Sequence, residues 1–137
     1  MKKRVLFLCP GNSCHSQMAE GLLNHFYGNE YDVFSAGVEP IEVNKNAVEV
    51  MKEIGIDISK QTSKHINEFL NQKFDIIITV CDEAEEALPE SITGVRQLNW
   101  DLYNPLEAID AQKDLLKALR EARDGIKEKI IEHFKPH

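Results

Sequence analysis

Cys9 opens a segment in which nearly every residue can take part in chemistry: Cys9-Pro-Gly-Asn-Ser-Cys-His-Ser16. It follows the apolar run Val5-Leu-Phe-Leu8 and precedes Gln17-Met-Ala-Glu-Gly-Leu-Leu-Asn-His-Phe26, which reads as a helix. A cysteine there stands at the end of a strand, on a short loop that opens a helix. Backbone N–H groups converge at such a point, and the helix dipole favours negative charge. The same features favour a thiolate and bind an oxyanion. The loop therefore combines a nucleophile with an anion cradle.

The elements that must position this loop alternate between strand and helix. Lys3 to Cys9 reads as the first strand and Ser16 to Tyr27 as a helix. Tyr31 to Ser35 reads as a short strand ended by Ala36-Gly37. Asn44 to Ile54 is a helix whose apolar face is Ala47, Val48, Met51 and Ile54, with Asn44 as N-cap and Gly55 closing its end. Ile56 to Ser63 reads as a loop and Ile66 to Leu70 as a short helix. Phe74 to Cys81 is almost continuously apolar and β-branched, the pattern of a buried parallel strand. Val95 to Trp100 is a weaker strand, and Asp110 to Phe134 a long amphipathic helix weakened by Gly125. This order predicts an α/β fold: a three-layer, four-stranded, parallel twisted sheet with helices on both faces. Ligands in such sheets bind at the C-terminal strand ends. Cys9 and Cys81 both lie at such ends and can meet at one site.

Composition narrows the function. The 137 residues suit one domain, taken as 1–137, with 42% hydrophobic and 28% charged residues. No apolar run has the length of a membrane span, and the apolar stretch near the start is too short for a signal peptide, so the expectation is a cytoplasmic protein. A net charge of −7 argues against nucleic acid as partner. Cys9, Cys14 and Cys81 are an odd set, which speaks against a structural disulfide framework. No second Cys/His pair at ligand spacing completes a zinc site, so neither metal nor cofactor is expected. Nucleophilic or redox chemistry fits the cysteines better. His25, His65, His133 and His137 show no ligand spacing, and Trp100 reads as core.

Cys9-Pro-Gly-Asn-Ser-Cys-His-Ser-Gln-Met-Ala-Glu-Gly21 resembles the phosphate loop of the low-molecular-weight tyrosine phosphatase superfamily, and most of all its thioredoxin-linked arsenate reductases. The resemblance continues through Ser35-Ala-Gly37, Val43-Asn44, Met51 to Ser59, Gln61-Thr-Ser63, Val80-Cys-Asp82, Trp100 to Pro105 and Arg120 to Ile126. It implies an arsenate reductase-like oxidoreductase in which Cys9 attacks arsenate and Cys81 resolves the adduct with release of arsenite. The backbone of Gly11, Asn12, Ser13, Cys14, His15 and Ser16 would bind the oxyanion. Asn12 would hold the loop, and Ser16 would stabilise the thiolate. Arsenate, phosphate or sulfate are the implied small ligands, and thioredoxin, glutaredoxin or another thiol the reductant. The phosphatase relatives use the same loop to form a cysteinyl-phosphate, so a phosphatase is a second reading. A redox-sensing or oxyanion-binding homologue without turnover is a third.

Three positions depart from the family pattern. The sixth residue after Cys9 is His15 where the family has arginine, a permanent cation with a planar fork of donors. A free imidazole charges below about pH 6.5, which predicts oxyanion affinity rising as pH falls through that value. The third redox cysteine would fall near Leu88, yet Glu83 to Pro89 contains none; Cys14, beside Cys9, is the candidate substitute. The general acid would fall at Asn104-Pro105, where an amide stands for the carboxylate. Loss of the acid weighs more against phosphatase chemistry than against arsenate, whose leaving group is water. Lys64 stands where some relatives carry an acidic potassium ligand, and its charge is a candidate replacement for that cation.

Overall fold

Val5, Leu6, Phe7 and Leu8 are almost wholly buried, and neighbours along the strand belong to opposite apolar clusters. A strand buried on both faces must lie inside the sheet. The computed structural model, which describes residues 2–80, 88–100 and 115–134, places it there. Strands β1 (Lys3–Cys9), β2 (Tyr31–Gly37), β3 (Lys73–Thr79) and β4 (Thr93–Asn99) form one parallel sheet in the order β2-β1-β3-β4. Cys9 pairs with Gly37 and Leu8 with Thr79, so the C-terminal ends of the first three strands share one edge. The chain leaves β1 toward β2 on one side and β3 toward β4 on the other, which makes that edge the topological switch point.

Three α-helices pack on one face: α1 (His15–Tyr27), α2 (Lys45–Lys52) and α3 (Leu115–His133). Their buried residues, among them Met18, Leu22, Val50, Met51, Leu119, Ile126 and Ile130, join Val5, Phe7 and Ile78 in the larger core. The opposite face holds Leu6, Leu8, Ala36 and Ile77, covered by Ile66 and Phe69 of a 3₁₀ turn (Ile66–Phe69) with Phe74 and Ile92. The expected four-stranded parallel sheet is therefore present, with boundaries displaced by at most two residues where ends are described. β2 runs on to Gly37, β3 stops at Thr79, β4 starts at Thr93, and the short helix expected after Ser63 is a 3₁₀ turn. Of the long C-terminal helix, residues 110–114 lie outside the described residues.

Local chemistry explains the helix ends. The Asn44 side chain accepts from the N–H groups of Asn46 and Ala47 at 2.9 and 3.1 Å, the N-cap expected for α2. Gly55 takes φ +81°, a left-handed conformation that reverses the chain after the helix. The exit is then tied by the Ile56 N–H to the Met51 carbonyl. Arg123 of α3 donates to the Val50 carbonyl at 2.7 Å and to Glu53 at 2.9 Å, and Arg120 also binds Glu53, so α3 is clamped to the end of α2. His65, which shows no ligand spacing, caps the 3₁₀ turn by accepting from the Asn67 N–H at 2.9 Å.

Two helical glycines should behave oppositely. A Cβ at Gly21 would lie 2.5 Å from Cγ2 of the fully buried Ile58, whereas one at Gly125 would meet nothing within 4 Å. Gly21→Ala should lower the unfolding free energy by about 1–3 kcal/mol through overpacking. Gly125→Ala should raise it by about 0.5–1 kcal/mol through helix propensity. Urea denaturation of both variants checks this, and a stabilised Gly21→Ala would refute the close packing of α1 on Ile58.

Candidate active site

The loop between β1 and α1 folds around the Cys9 sulfur. The Asn12 N–H donates to Cys9 Sγ at 3.1 Å, and Ser16 Oγ lies 2.8 Å from the same atom. Asn12 Nδ2 donates to Ser16 Oγ at 2.8 Å, which occupies an oxygen lone pair and leaves the hydroxyl hydrogen for the sulfur. Two donors aimed at one sulfur stabilise it as an anion. Both lie within the loop itself, so the sequence spacing from Cys9 to Ser16 is what brings them together.

Asn12 carries the loop's geometry. It is fully buried and takes φ 47°, a region that asparagine tolerates better than other side chains. Its Oδ1 accepts from the Lys64 N–H at 2.7 Å, and its carbonyl accepts from Gln17 Nε2 at 2.9 Å and Ser63 Oγ at 2.7 Å. Gln61 Nε2 in turn donates to Gln17 Oε1 at 2.8 Å. On its outer side the loop is laced to the segment after β2: Glu39, Ile41 and Asn44 donate backbone N–H groups to the carbonyls of Pro10, Gly11 and Ser13. Gly37 sits beneath it so closely that a Cβ would lie 2.8 Å from Asn12 N and Pro10 O. Gln17, Gln61, Ser63 and Gly37 were not singled out as site residues by sequence. The polar run Gln61-Thr-Ser63 and the strand-ending Ala36-Gly37 were the signals available.

Of residues 11–16, the expected cradle, Asn12 spends its N–H on the Cys9 sulfur, and the helix start follows at Cys14. Cys14 is the N-cap of α1 and offers no side-chain cap, and no acidic residue occupies the first turn. Among the described residues no group accepts from the N–H groups of Ser13, Cys14, His15 or Ser16. These are the orphan donors of a helix start, and an oxyanion satisfies them.

The side chains of Cys14 and His15 are less simple than the backbone. Cys14 belongs to the large apolar core, and burial, with the neighbouring Cys9 charge, pushes its thiol up to about 12. It is therefore held as a protonated thiol in the same loop as Cys9. His15 is only 4% exposed, and its Nε2 is buried without a partner among the described residues. Burial lowers its pKa from 6.5 to about 4, so the free loop holds a neutral imidazole, and the charging expected near pH 6.5 does not occur there.

Lys64 Nζ donates to the Thr62 carbonyl at 2.7 Å and lies 3.9 Å from Glu20 Oε1. Ser35 Oγ donates to the same carboxylate oxygen at 2.7 Å. Burial raises the Glu20 pKa, against the hydrogen bond from Ser35 and the charge of Lys64. The lysine thus brings a cation to a buried carboxylate below the loop. Cys81 and Asn104 lie outside the described residues, although the Val80 N–H donates to the Leu8 carbonyl at 3.0 Å, next to Cys9. Among the described residues no group of three His, Cys, Asp or Glu side chains is placed to hold a metal, and no helix is long and apolar enough to cross a membrane.

The buried imidazole has a consequence for stability. An unfolded histidine titrates near 6.5 and His15 in the fold near about 4, so between these values the unfolded chain binds the extra proton. Its contribution is complete above pH 6.5 and is lost as pH falls toward about 4, by up to about 3 kcal/mol. The decline in unfolding free energy over that window should be shallower in His15→Gln than in the parent chain. Equal slopes in chemical denaturation series would show that His15 is not buried as described.

The comparisons with known proteins agree with this geometry. The family model described as low molecular weight phosphotyrosine protein phosphatase matches residues 4–135. An arsenate reductase of Halalkalibacterium halodurans is 44% identical over 129 residues, covering 94% of this chain and 93% of that protein. A solved arsenate reductase in the phosphate-binding state superposes with a TM-score of 0.79 at 35% identity, covering 95% of this chain and 94% of the other. The thioredoxin-dependent arsenate reductase of Corynebacterium glutamicum gives a TM-score of 0.66 at 26% identity, over 93% of this chain and 60% of its own. With the loop around Cys9 and the sheet order both accounted for, the chain belongs to the low molecular weight phosphotyrosine protein phosphatase family.

Proposed function

We propose that the chain, acting as one domain over residues 1–137, is a thiol-coupled arsenate reductase. The observation that carries this reading is the Cys9 sulfur, held by Ser16 and the Asn12 N–H at the mouth of an unpaired N–H cradle. Arsenate binds to the backbone of residues 11–16. The Cys9 sulfur attacks arsenic and one arsenate oxygen leaves as water, giving a sulfur–arsenic(V) bond. The Cys81 sulfur then attacks Cys9, forming the Cys9–Cys81 disulfide. The electron pair of the broken sulfur–arsenic bond stays on arsenic, which departs as arsenite. Two thiols are oxidised and arsenic is reduced by two electrons. An external dithiol of the thioredoxin or glutaredoxin class returns the disulfide to thiols. The similarity to an arsenate reductase in its phosphate-binding state and to a thioredoxin-dependent arsenate reductase supports both partners.

The position of Cys81, one residue beyond Val80 at the switch-point edge, supports its role as the resolving thiol. Cys14 is the nearer thiol in sequence, but its protonated state suits it to packing or to a secondary exchange rather than to the first attack. Asn104 supplies no acidic proton, which arsenate tolerates because its leaving group is water. The absence of a carboxylic acid there costs an alkyl phosphate substrate most, by roughly 10²–10⁴ in rate.

The test is arsenite formation with thioredoxin or dithiothreitol as reductant. Cys9→Ser should abolish turnover, and Cys81→Ser should stop it after the adduct, leaving no disulfide. Ser16→Ala should slow it by about 10–100-fold, the value of a hydrogen bond to a charged sulfur of about 1.5–3 kcal/mol. Wild-type turnover in Cys9→Ser would end the assignment. Hydrolysis of an activated aryl phosphate with no arsenite formed would replace it by the phosphatase reading.

A further inference from the structure

Among the described residues the anion loop is built without a cation. Among the described residues no lysine or arginine side chain hydrogen-bonds to residues 9–16. Lys64, the nearest by connection, is turned to Thr62 and Glu20. Arg120 and Arg123 are spent on Glu53, Asp124 and the Val50 carbonyl. The family's arginine position is His15, buried, with Nε2 unpartnered. The titratable groups of its own loop and helix are Cys9, Cys14, Glu20 and His25, and Lys64 is tied to the loop through Asn12. None of them holds it charged, since burial is the sole cause of its shift.

Charge and hydrogen-bond chemistry then restrict the ligand. The cradle offers neutral N–H dipoles, together equivalent to about half a unit charge. That matches a singly charged anion better than a doubly charged one, because each uncompensated charge removed from water is costly. A neutral imidazole also differs from arginine in kind. Arginine only donates, whereas an unpartnered imidazole nitrogen can accept the O–H of a protonated oxyanion. Sulfate carries two charges at neutral pH and no proton. Arsenate and phosphate carry a proton and become monoanions as pH falls through neutrality.

We propose that His15 makes the loop selective for protonatable oxyanions taken as their monoanions, dihydrogen arsenate or dihydrogen phosphate, and turns sulfate away. The proposal rests on the reading of this loop as an oxyanion site and names the protonation state that the site selects.

Calorimetric titration of the full chain with phosphate and with sulfate, at several pH values from about 6 to 8.5, tests it. Phosphate should bind at least about tenfold more tightly than sulfate at the low end. Its affinity should fall by up to about tenfold per pH unit at the high end, where binding requires uptake of one proton. His15→Arg should narrow the phosphate-to-sulfate ratio to within about threefold and flatten the pH dependence, as a permanent cation would. Sulfate binding equal to phosphate in the parent chain, or phosphate affinity that is flat with pH, would overturn the proposal whether or not the variant folds. Selective binding without arsenite formation would uphold it and sink the reductase reading. Arsenite formation with unselective binding would do the reverse.

Discussion

At Asn12 the backbone turns through φ 47°, a conformation that costs an ordinary residue about 1–2 kcal/mol, and each polar group of that residue helps to hold the turn. Its N–H goes to the Cys9 sulfur, its amide nitrogen to Ser16, its amide oxygen to the Lys64 N–H, and its carbonyl to Gln17 and Ser63. A loop so buried must satisfy its polar groups internally, because water cannot reach them. Among the described residues, what this leaves unpaired in the loop is the N–H groups of Ser13 to Ser16 and the buried His15 Nε2. The strain, the hydrogen bonds and the empty donors are one device.

The sheet supplies the frame for that device. Cys9 and Gly37 are paired residues at the ends of neighbouring parallel strands, and Gly37 leaves room for Asn12 where any side chain would collide. The segments after β2 and before the 3₁₀ turn then clasp the loop from two sides through Glu39, Ile41, Asn44 and Ser63 to Lys64. Each clasp is a backbone or short polar contact. The loop is thus rigid before any ligand arrives, and binding costs little reorganisation.

Two cysteines five positions apart have opposite environments. Cys9 receives an N–H and lies against a hydroxyl, while Cys14 turns into the apolar core, where burial keeps its thiol protonated. His15, next in the chain, is kept neutral by the same burial. Among the described residues the loop therefore presents N–H dipoles rather than a formal positive charge. This is its main departure from the arginine-bearing pattern that its loop resembles, and it bears on which ligands the loop accepts more than on whether the loop forms.

Much of the fold could be read directly from the chain. The unbroken apolar runs of β1 and β3, the face of α2 and the Asn44 and Gly55 boundaries each follow from local rules that need no partner. The candidate nucleophile was legible for the same reason, since a strand, a short polar loop and a helix in succession place Cys9, Ser16 and the free N–H groups by covalent connectivity alone. Residues brought together from a distance were not legible. That Gln17, Gln61 and Ser63 lock Asn12, that Gly37 must be glycine, and that Lys64 reaches Glu20 depend on strand register and crossover paths, which no local window encodes. Nor could sequence decide the charge of His15. An imidazole in water titrates near 6.5, and only its burial among the packed loop and helix start, a property of the tertiary structure, lowers that to about 4 and keeps it neutral.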